Sequence, residues 1–242
     1  MTGWIEDWFG SEYYSLLYKH RDCNEAKLFL DNLISLLQLP AKSSILDCGC
    51  GKGRHSVYLA EKGFEVTGVD ISEKSIQEAS QQKRNNLAFF THDMRNYLRI
   101  NYYDIALSLF TSFGYFENDH ENEKMIRSMA AAVKHNGWVV LDFMNAKKEI
   151  SELVPNEKFS EGKVDFEIKR LCKANSIVKE IFITVKSEKH FYKELVRTYG
   201  LSDLSGFFAK NKLQIVHTFG DYHLNRFNEI KSERLILIGK KS

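Results

Sequence analysis

The chain has 242 residues, of which 43% are hydrophobic and 27% charged, with two prolines and 34 Lys and Arg set against 32 Asp and Glu. That length holds one sizeable core, and the composition excludes a disordered or low-complexity chain. The net charge of +2 offers neither a nucleic-acid scaffold nor a strongly acidic solvating protein.

Residues 1–40 read as a helical cap. Leu16, Leu17 and Lys19 lie in one short segment, and Phe29, Leu30, Leu33, Ile34 and Leu37 form an apolar stripe at helical spacing that Pro40 ends. The period then changes. Ser44 to Asp47 is a short apolar strand that runs into Cys48-Gly49-Cys50-Gly51-Lys52-Gly53, and a helix follows through Val57, Leu59 and Ala60, stopping at Gly63. A second strand runs from Phe64 to Val69 and ends in Asp70. Ser72 caps a helix expected to reach Arg84, and residues 87–90 form a third strand. Residues 104–110 make a fourth, nearly continuous apolar strand, residues 120–134 a helix, and residues 137–143 a fifth strand. Apolar strands alternating with helices predict an α/β fold built on a mostly parallel sheet.

Beyond Val154 the period shifts again. Residues 164–171, 177–185 and 191–199 alternate apolar and polar, which predicts an antiparallel patch with one wet face, inserted as a lid over 154–200. Residues 201–211 read as a helix capped by Ser202 or Asp203, and residues 213–219 and 233–239 as an antiparallel pair closing the sheet. With no repeat and no flexible linker, residues 1–242 are expected to form one domain. Cys23, Cys48, Cys50 and Cys172 have neither a disulfide framework nor metal-site spacing, so no metal is expected. Apolar runs such as 106–109 and 138–141 are far short of a membrane span, and the expectation is a soluble cytoplasmic protein.

The glycine loop after the first strand carries the most information. A dinucleotide fingerprint started at Gly49 fails at Arg54, and started at Gly51 it fails at Ser56. An ATPase phosphate loop fails because Gly53 follows Gly51-Lys52 and Leu46 stands where the upstream glycine belongs. The acidic residues point elsewhere. Asp70, 21 positions after Gly49, ends the second strand where a carboxylate accepts ribose hydroxyls. Asp93, in His92-Asp93-Met94, is placed to accept from an adenine amino group while Met94 packs on the ring. Asp47 is adverse beside a pyrophosphate and tolerable beside a positive centre. A nucleoside ligand with little phosphate and some positive charge suits all three. A bare structural turn is the alternative for the three glycines.

At these residues the chain resembles the class I S-adenosylmethionine-dependent methyltransferases. Leu46-Asp47-Cys48-Gly49-Cys50-Gly51-Lys52-Gly53 looks like that family's cofactor loop. Val69-Asp70-Ile71-Ser72 looks like its ribose-binding strand end, with Ile71 beside the adenine, and His92-Asp93-Met94 like its adenine-edge segment. Leu109 and the residues after it are implied to line the methionine part. Lys134-His135-Asn136-Gly137-Trp138 resembles the turn into strand five, with Asn136 where proline is frequent. The resemblance covers residues 1–240 in organisation, and its specific match lies between Ser44 and Phe143. It implies a Rossmann-like seven-stranded, mostly parallel sheet with helices on both faces and the last strand antiparallel. It also implies S-adenosyl-L-methionine as cofactor and a small-molecule acceptor methylated at N, O or C.

On the cap, Tyr14, Tyr18 and Arg21 resemble residues that close over the methionine end, where Arg21 pairs with its carboxylate or, alternatively, with Asp22 or Glu25 on the surface. The aromatic loop at 110–116 supplies Phe113 and Tyr115 as acceptor-binding candidates. Arg197 and Tyr199, which share parity on the lid, and Tyr222 and Arg226, beyond strand six, are the others; inward-pointing arginines would favour an anionic acceptor. Methyl transfer is a direct displacement that needs alignment more than a base, and His20, Tyr115 and His223 are the candidate bases. Thr111-Ser112-Phe113 stands where amide- and nucleobase-methylating relatives carry an Asp/Asn-Pro-Pro-Phe/Tyr segment, so a nucleic-acid target is not expected. A tRNA or protein methyltransferase, a non-catalytic adenosyl-ligand module, and a homodimer stay open.

Overall fold

The computed structural model describes residues 3–19, 23–82 and 84–242. Helices α1 (Gly3–Phe9), α2 (Glu12–Leu17) and α3 (Cys23–Leu37) precede an alternating run: β1 (Ser44–Cys48), α4 (Arg54–Glu61), β2 (Glu65–Asp70), α5 (Glu73–Ala79) and β3 (Leu87–Thr91). The run continues with β4 (Tyr103–Ser108), α6 (Asp119–Ala132) and β5 (Val133–Met144). After α7 (Ala146–Ser151) come β6 (Asn156–Glu161), β7 (Val164–Lys173), β8 (Ser176–Val185) and β9 (Glu188–Arg197); α8 (Leu201–Lys210), β10 (Leu213–Phe219) and β11 (Arg234–Lys241) complete the chain.

The main sheet has seven strands in the order β10-β11-β5-β4-β1-β2-β3, with β11 antiparallel to both neighbours and the other pairings parallel. Its strands are apolar on both faces because both are covered. Ile45, Ile105, Leu107, Ile236 and Ile238 face α3 and α4 through Phe29, Leu30, Leu33 and Leu59. Their neighbours Leu46, Ala106, Leu235 and Leu237 face α6 and α8 through Met125, Ile126, Leu204 and Phe208. Thus α3 belongs to the sheet's flanking layer, and within the N-terminal forty residues the part lying outside that layer is α1 and α2.

A second, four-stranded antiparallel sheet, β6-β7-β8-β9, is inserted between β5 and β10. Its inner face carries Phe166, Ile168, Ile181 and Ile183, which pack with Trp8 of α1 and, at the edge, with Tyr13, Tyr14 and Leu17 of α2. The polar strand β6 and the short helix α7 carry no apolar period and were not expected. The fifth helix stops at Ala79, with Ser80 as its C-cap, so Arg84 lies beyond it, bridging to Leu87. Gly200 is the N-cap of α8, and Asp203 serves it from the first turn by accepting the Gly200 N–H at 2.9 Å.

Strand β4 ends at Ser108, two residues earlier than its apolar run, because Phe110 and Thr111 both take left-handed backbone, φ 52° and 62°. For a β-branched threonine that conformation is strained. Buried Asp142 on β5 holds it. Its carboxylate accepts the Phe110 N–H at 2.6 Å and the Tyr222 hydroxyl at 3.1 Å, and its carbonyl accepts the Thr111 N–H at 3.2 Å. Arg234 at the head of β11 donates to Asp142 at 2.7 Å and to the Thr111 hydroxyl at 2.9 Å. Removing one member of such a pair leaves the other charge buried alone. Arg234→Met is expected to lower the urea unfolding free energy by about 3–5 kcal/mol. A loss of only about 0–1 kcal/mol, the range of an exposed pair, would show that the ion pair does not hold this loop.

Candidate functional site

The carboxyl ends of β1, β2, β3 and β4 open on one cavity of about 320 Å³. Parallel strands bring this about: each strand end delivers its loop to the same edge of the sheet, and where neighbouring connections diverge a crevice is left.

The loop after β1 forms the cavity's centre. Gly49 and Gly51 have φ of 75° and 54°, which side chains rarely adopt. A Cβ at Gly49 would stand 2.6 Å from the Ser112 Cβ, so this glycine lets the β1 loop lie against the loop after β4. Beside Gly51 a Cβ would meet nothing within 4 Å, so a ligand can come directly onto that backbone. Asp70 at the end of β2 accepts the Gly51 N–H through one oxygen and the Ser72 N–H through the other, both at 2.9 Å. Each oxygen keeps a lone pair for a ligand hydroxyl. Burial raises the Asp70 carboxyl above its ordinary value, opposed by those backbone bonds. Asp93, after β3, is gripped by Arg95 at 2.5 Å, and although burial opposes it, that guanidinium holds the carboxyl below its ordinary value. Arg95 is itself braced by Glu121 at 2.6 Å. Ile71, Met94 and Leu109 add apolar surface to the same wall.

Asp47 does not line the cavity. It lies beneath it, 1% exposed, accepting the Ser56 hydroxyl at 2.6 Å. Burial pushes its carboxyl up to about 6 and nearby Asp70 adds to the rise, while Ser56 and Arg54 oppose it. Cys48 and Cys50 are likewise buried thiols raised by burial first and Asp47 next, so neither is a ready thiolate.

The opposite wall is aromatic. Phe9, Tyr14, Tyr18, Phe110, Tyr115 and Phe116 line it, together with Ile5 and Ser15. Tyr115 stands 5.0 Å from Phe9 and 6.4 Å from Trp4 by ring centroids, both edge-on. Arg54 and His55, the first residues of α4, also face the cavity. The Arg54 guanidinium is 5.1 Å above the Phe110 ring and 3.0 Å from His55 Nε2, and the His55 ring stacks on Phe110 at 4.9 Å. Sequence reasoning met Arg54 only as the residue that breaks a dinucleotide pattern. The missed signal was position: the first turn of a helix that follows a ligand-facing loop faces the ligand too.

The structure brings Tyr14, Tyr18, Gly49, Gly51, Asp70, Ile71, Asp93, Met94, Leu109 and Tyr115 to this cavity. It places the other acceptor-side candidates elsewhere. Phe113 is fully buried against Phe143, Tyr199 and Phe207. Arg197 and Tyr199 do point the same way, as their parity requires, but onto Asp119 of α6, at 2.9 and 2.8 Å. Tyr222 is buried behind Phe110, its hydroxyl on Asp142. His223 and Arg226 are exposed on the segment between β10 and β11 and do not line the cavity. His20 and Arg21 lie outside the described residues. Among the described residues no group of three or more His, Cys, Asp and Glu side chains is arranged to hold a metal ion, and no helix is long and apolar enough to cross a membrane.

Because the folded-state value of Asp47 lies above the ordinary 3.8, the folded chain holds this proton more tightly than the unfolded one. The resulting stability is full below the unfolded value and is lost as pH rises through about 6. Asp47→Asn removes that loss while keeping an acceptor for Ser56. Its unfolding free energy should exceed that of the parent at about pH 8 by on the order of 3 kcal/mol, and should match it at about pH 4. An equal gain at both pH values would show that ionisation of Asp47 is not the cause.

A family model described as a methyltransferase domain matches residues 45–137. The Bacillus subtilis (strain 168) protein YqeM is 32% identical over 130 residues, 52% of each chain. A glycine/sarcosine N-methyltransferase of Parasynechococcus marenigrum (strain WH8102) is 29% identical over 120 residues, 48% of this chain and 43% of that one. The chain spans about half the length of these curated relatives. The crystal structure of a S-adenosylmethionine-dependent methyltransferase from Clostridium acetobutylicum ATCC 824 superposes with a TM-score of 0.81 at 18% identity, over 95% of this chain and 96% of that one. The fold of this chain is therefore that of the class I S-adenosylmethionine-dependent methyltransferases, with a lid inserted before the sixth strand of the main sheet.

Proposed function

We propose that the protein transfers a methyl group from S-adenosyl-L-methionine to a small-molecule acceptor. The observation that carries this reading is that Gly49, Gly51, Asp70, Ile71, Asp93 and Met94 all face one cavity. Each matches a part of that cofactor. The free lone pairs of Asp70 suit the ribose hydroxyls, and Asp93, held in place by Arg95, suits the adenine amino group between Ile71 and Met94. The open backbone at Gly51 and the side chain of Leu109 suit the methionine part. When bound, the cofactor supplies an electrophilic methyl on a sulfonium. The chain's own residues then have to align an acceptor behind that methyl and keep water out, which is the larger share of such a displacement.

The aromatic wall suits both tasks. Rings from the cap enclose the cavity from the side opposite the strand ends, which favours a compact acceptor over a tRNA or a protein. The similarity to a glycine/sarcosine N-methyltransferase points the same way. At the end near Phe110 the cavity presents the Arg54 guanidinium, which suits an acceptor bearing a carboxylate or phosphate. Tyr115 is the pocket-facing hydroxyl among the candidate bases. The nucleophilic atom, N, O or C, is set by the acceptor. The balanced surface charge fits a cytoplasmic enzyme without a nucleic-acid partner. A homodimer is compatible with this arrangement.

Calorimetric titration with S-adenosylmethionine, S-adenosylhomocysteine and NAD tests the cofactor. The first two are expected to bind with dissociation constants on the order of micromolar, about −8 kcal/mol, and Asp70→Ala is expected to weaken them at least tenfold. Tighter binding of NAD, or no adenosyl binding, overturns the proposal. Incubation with labelled cofactor and a panel of amino and carboxylate metabolites separates an enzyme from a binding module of the same fold, which would release no methylated product.

A further inference from the structure

A second cluster of buried, paired titratable groups lies between the N-terminal helices and the lid. Glu194, on the inner face of β9, is 6% exposed. A carboxylate so buried needs donors, and it has them from two segments, with a lysine of a third beside it. Trp8 Nε1 of α1 donates to it, and the Tyr18 hydroxyl, at the end of α2, reaches both its oxygens at 3.1 and 3.2 Å. Lys179 Nζ of β8 stands 3.7 Å from it and donates to the Tyr18 hydroxyl at 2.5 Å.

These groups form the rear of the cavity's aromatic wall. Tyr14 and Tyr18 line the cavity, 4.9 Å apart by ring centroids, and Trp8, fully buried, packs edge-on against Tyr14 at 5.6 Å. Helices α1 and α2 have seven and six residues, too short to hold their shape alone in water. Their order depends on docking to the lid, where Tyr192 packs on Trp8 and Tyr13 and Glu194 hydrogen-bonds a side chain from the α1 helix and one from the end of α2 together.

We propose that Glu194 is a positioning residue that latches the N-terminal helices to the lid, so that the aromatic wall of the cavity forms only in the latched state and ligand exchange proceeds through its opening. The ligand half of this inference rests on the cofactor reading above; the latch half does not.

The test uses the full chain with Trp4→Phe and Trp138→Phe, leaving Trp8 as the single reporter. Without ligand, acrylamide should quench Trp8 weakly in this parent and several-fold more in Glu194→Ala. The melting transition of the main body should persist. Glu194→Gln, which keeps an acceptor for Trp8 and Tyr18, should restore most of the protection. Tyr18→Phe, which keeps the ring and the Trp8 bond to Glu194 but loses the hydroxyl's bonds to Glu194 and Lys179, should lie between the two. In stopped-flow displacement, S-adenosylhomocysteine should leave Glu194→Ala at least tenfold faster than the parent, with rescue in Glu194→Gln. Unchanged Trp8 quenching in Glu194→Ala overturns the latch, and exposed Trp8 with an unchanged dissociation rate overturns its control of exchange. If Glu194→Ala does not fold, Tyr18→Phe and Glu194→Gln decide by the same two readouts. Failure of the parent to bind S-adenosylhomocysteine counts against the cofactor reading and against exchange control, while the quenching series still decides the latch.

Discussion

The buried pair between Asp142 and Arg234 is the interaction on which the ligand side of the sheet depends. Asp142 sits on the interior strand β5 and Arg234 on the antiparallel neighbour β11, so the pair joins two strands at their cavity ends. Its work is directed at the loop after β4. Among the described residues, the side-chain hydrogen bonds that the pair makes outside itself go, apart from the Tyr222 hydroxyl, to Phe110 or Thr111, the two residues in left-handed conformation. A buried ion pair is weak evidence for stability in itself, because desolvation offsets much of the attraction. Here it specifies one conformation of a strained turn. Phe110 then carries the His55 ring on its face, with the Arg54 guanidinium over it, and Ser112 closes against Gly49. One pair of opposite charges thus fixes where two ligand-facing loops meet.

The cavity has two walls of different mechanical character. The polar wall rests on strand ends inside the seven-stranded sheet, and its carboxylates are fixed by backbone N–H groups or by a neighbouring arginine. The aromatic wall is borrowed in large part from short helices whose order comes from contact with a separate antiparallel sheet. That sheet is in turn moored to the main body at the end of β9. There the Arg197 N–H donates to the Gly114 carbonyl at 2.8 Å, and the side chains of Arg197 and Tyr199 grip Asp119. On the proposed function, the rigid half would recognise the ligand part that never changes and the docked half would open. This is the division of labour that a two-substrate reaction with an enclosed transition state requires.

The central sheet was legible because strands buried on both faces leave unbroken apolar runs, and the glycine loop because tight turns at strand ends tolerate few residues. Asp70 and Asp93 were legible for the same reason: the last residue of a strand, or one just past it, has little choice of place. The lid obeyed its period but hid its polarity. Period-2 alternation says which residues share a face, not which face is wet. On β9 it is His190, Tyr192 and Glu194 that turn inward while Phe191 pairs with Phe182 on the outer face. A buried glutamate and two exposed phenylalanines invert the simple expectation, and they do so because the inner face is shared with the cap's tryptophan and tyrosines. Arg197, Tyr199 and Tyr222 were attractive as acceptor ligands for their chemistry. Each spends that chemistry on a carboxylate of the chain itself, exposed Asp119 or buried Asp142, and only tertiary contact reveals the partner.

The same accounting explains why the acceptor end of the cavity carries few polar groups. A displacement at a sulfonium methyl places no demand for an oxyanion hole, a metal or a nucleophilic side chain, so the wall facing the acceptor is free to be chosen for shape and dryness. Aromatic rings meet that demand with little rotamer entropy to lose. The polar exceptions, Arg54 and His55 on the helix that follows the glycine loop, are fixed to the rigid half and stacked on Phe110. On the proposed function, selectivity for the acceptor's charge would reside with the wall set on the main sheet and α4, and selectivity for its size with the docked helices.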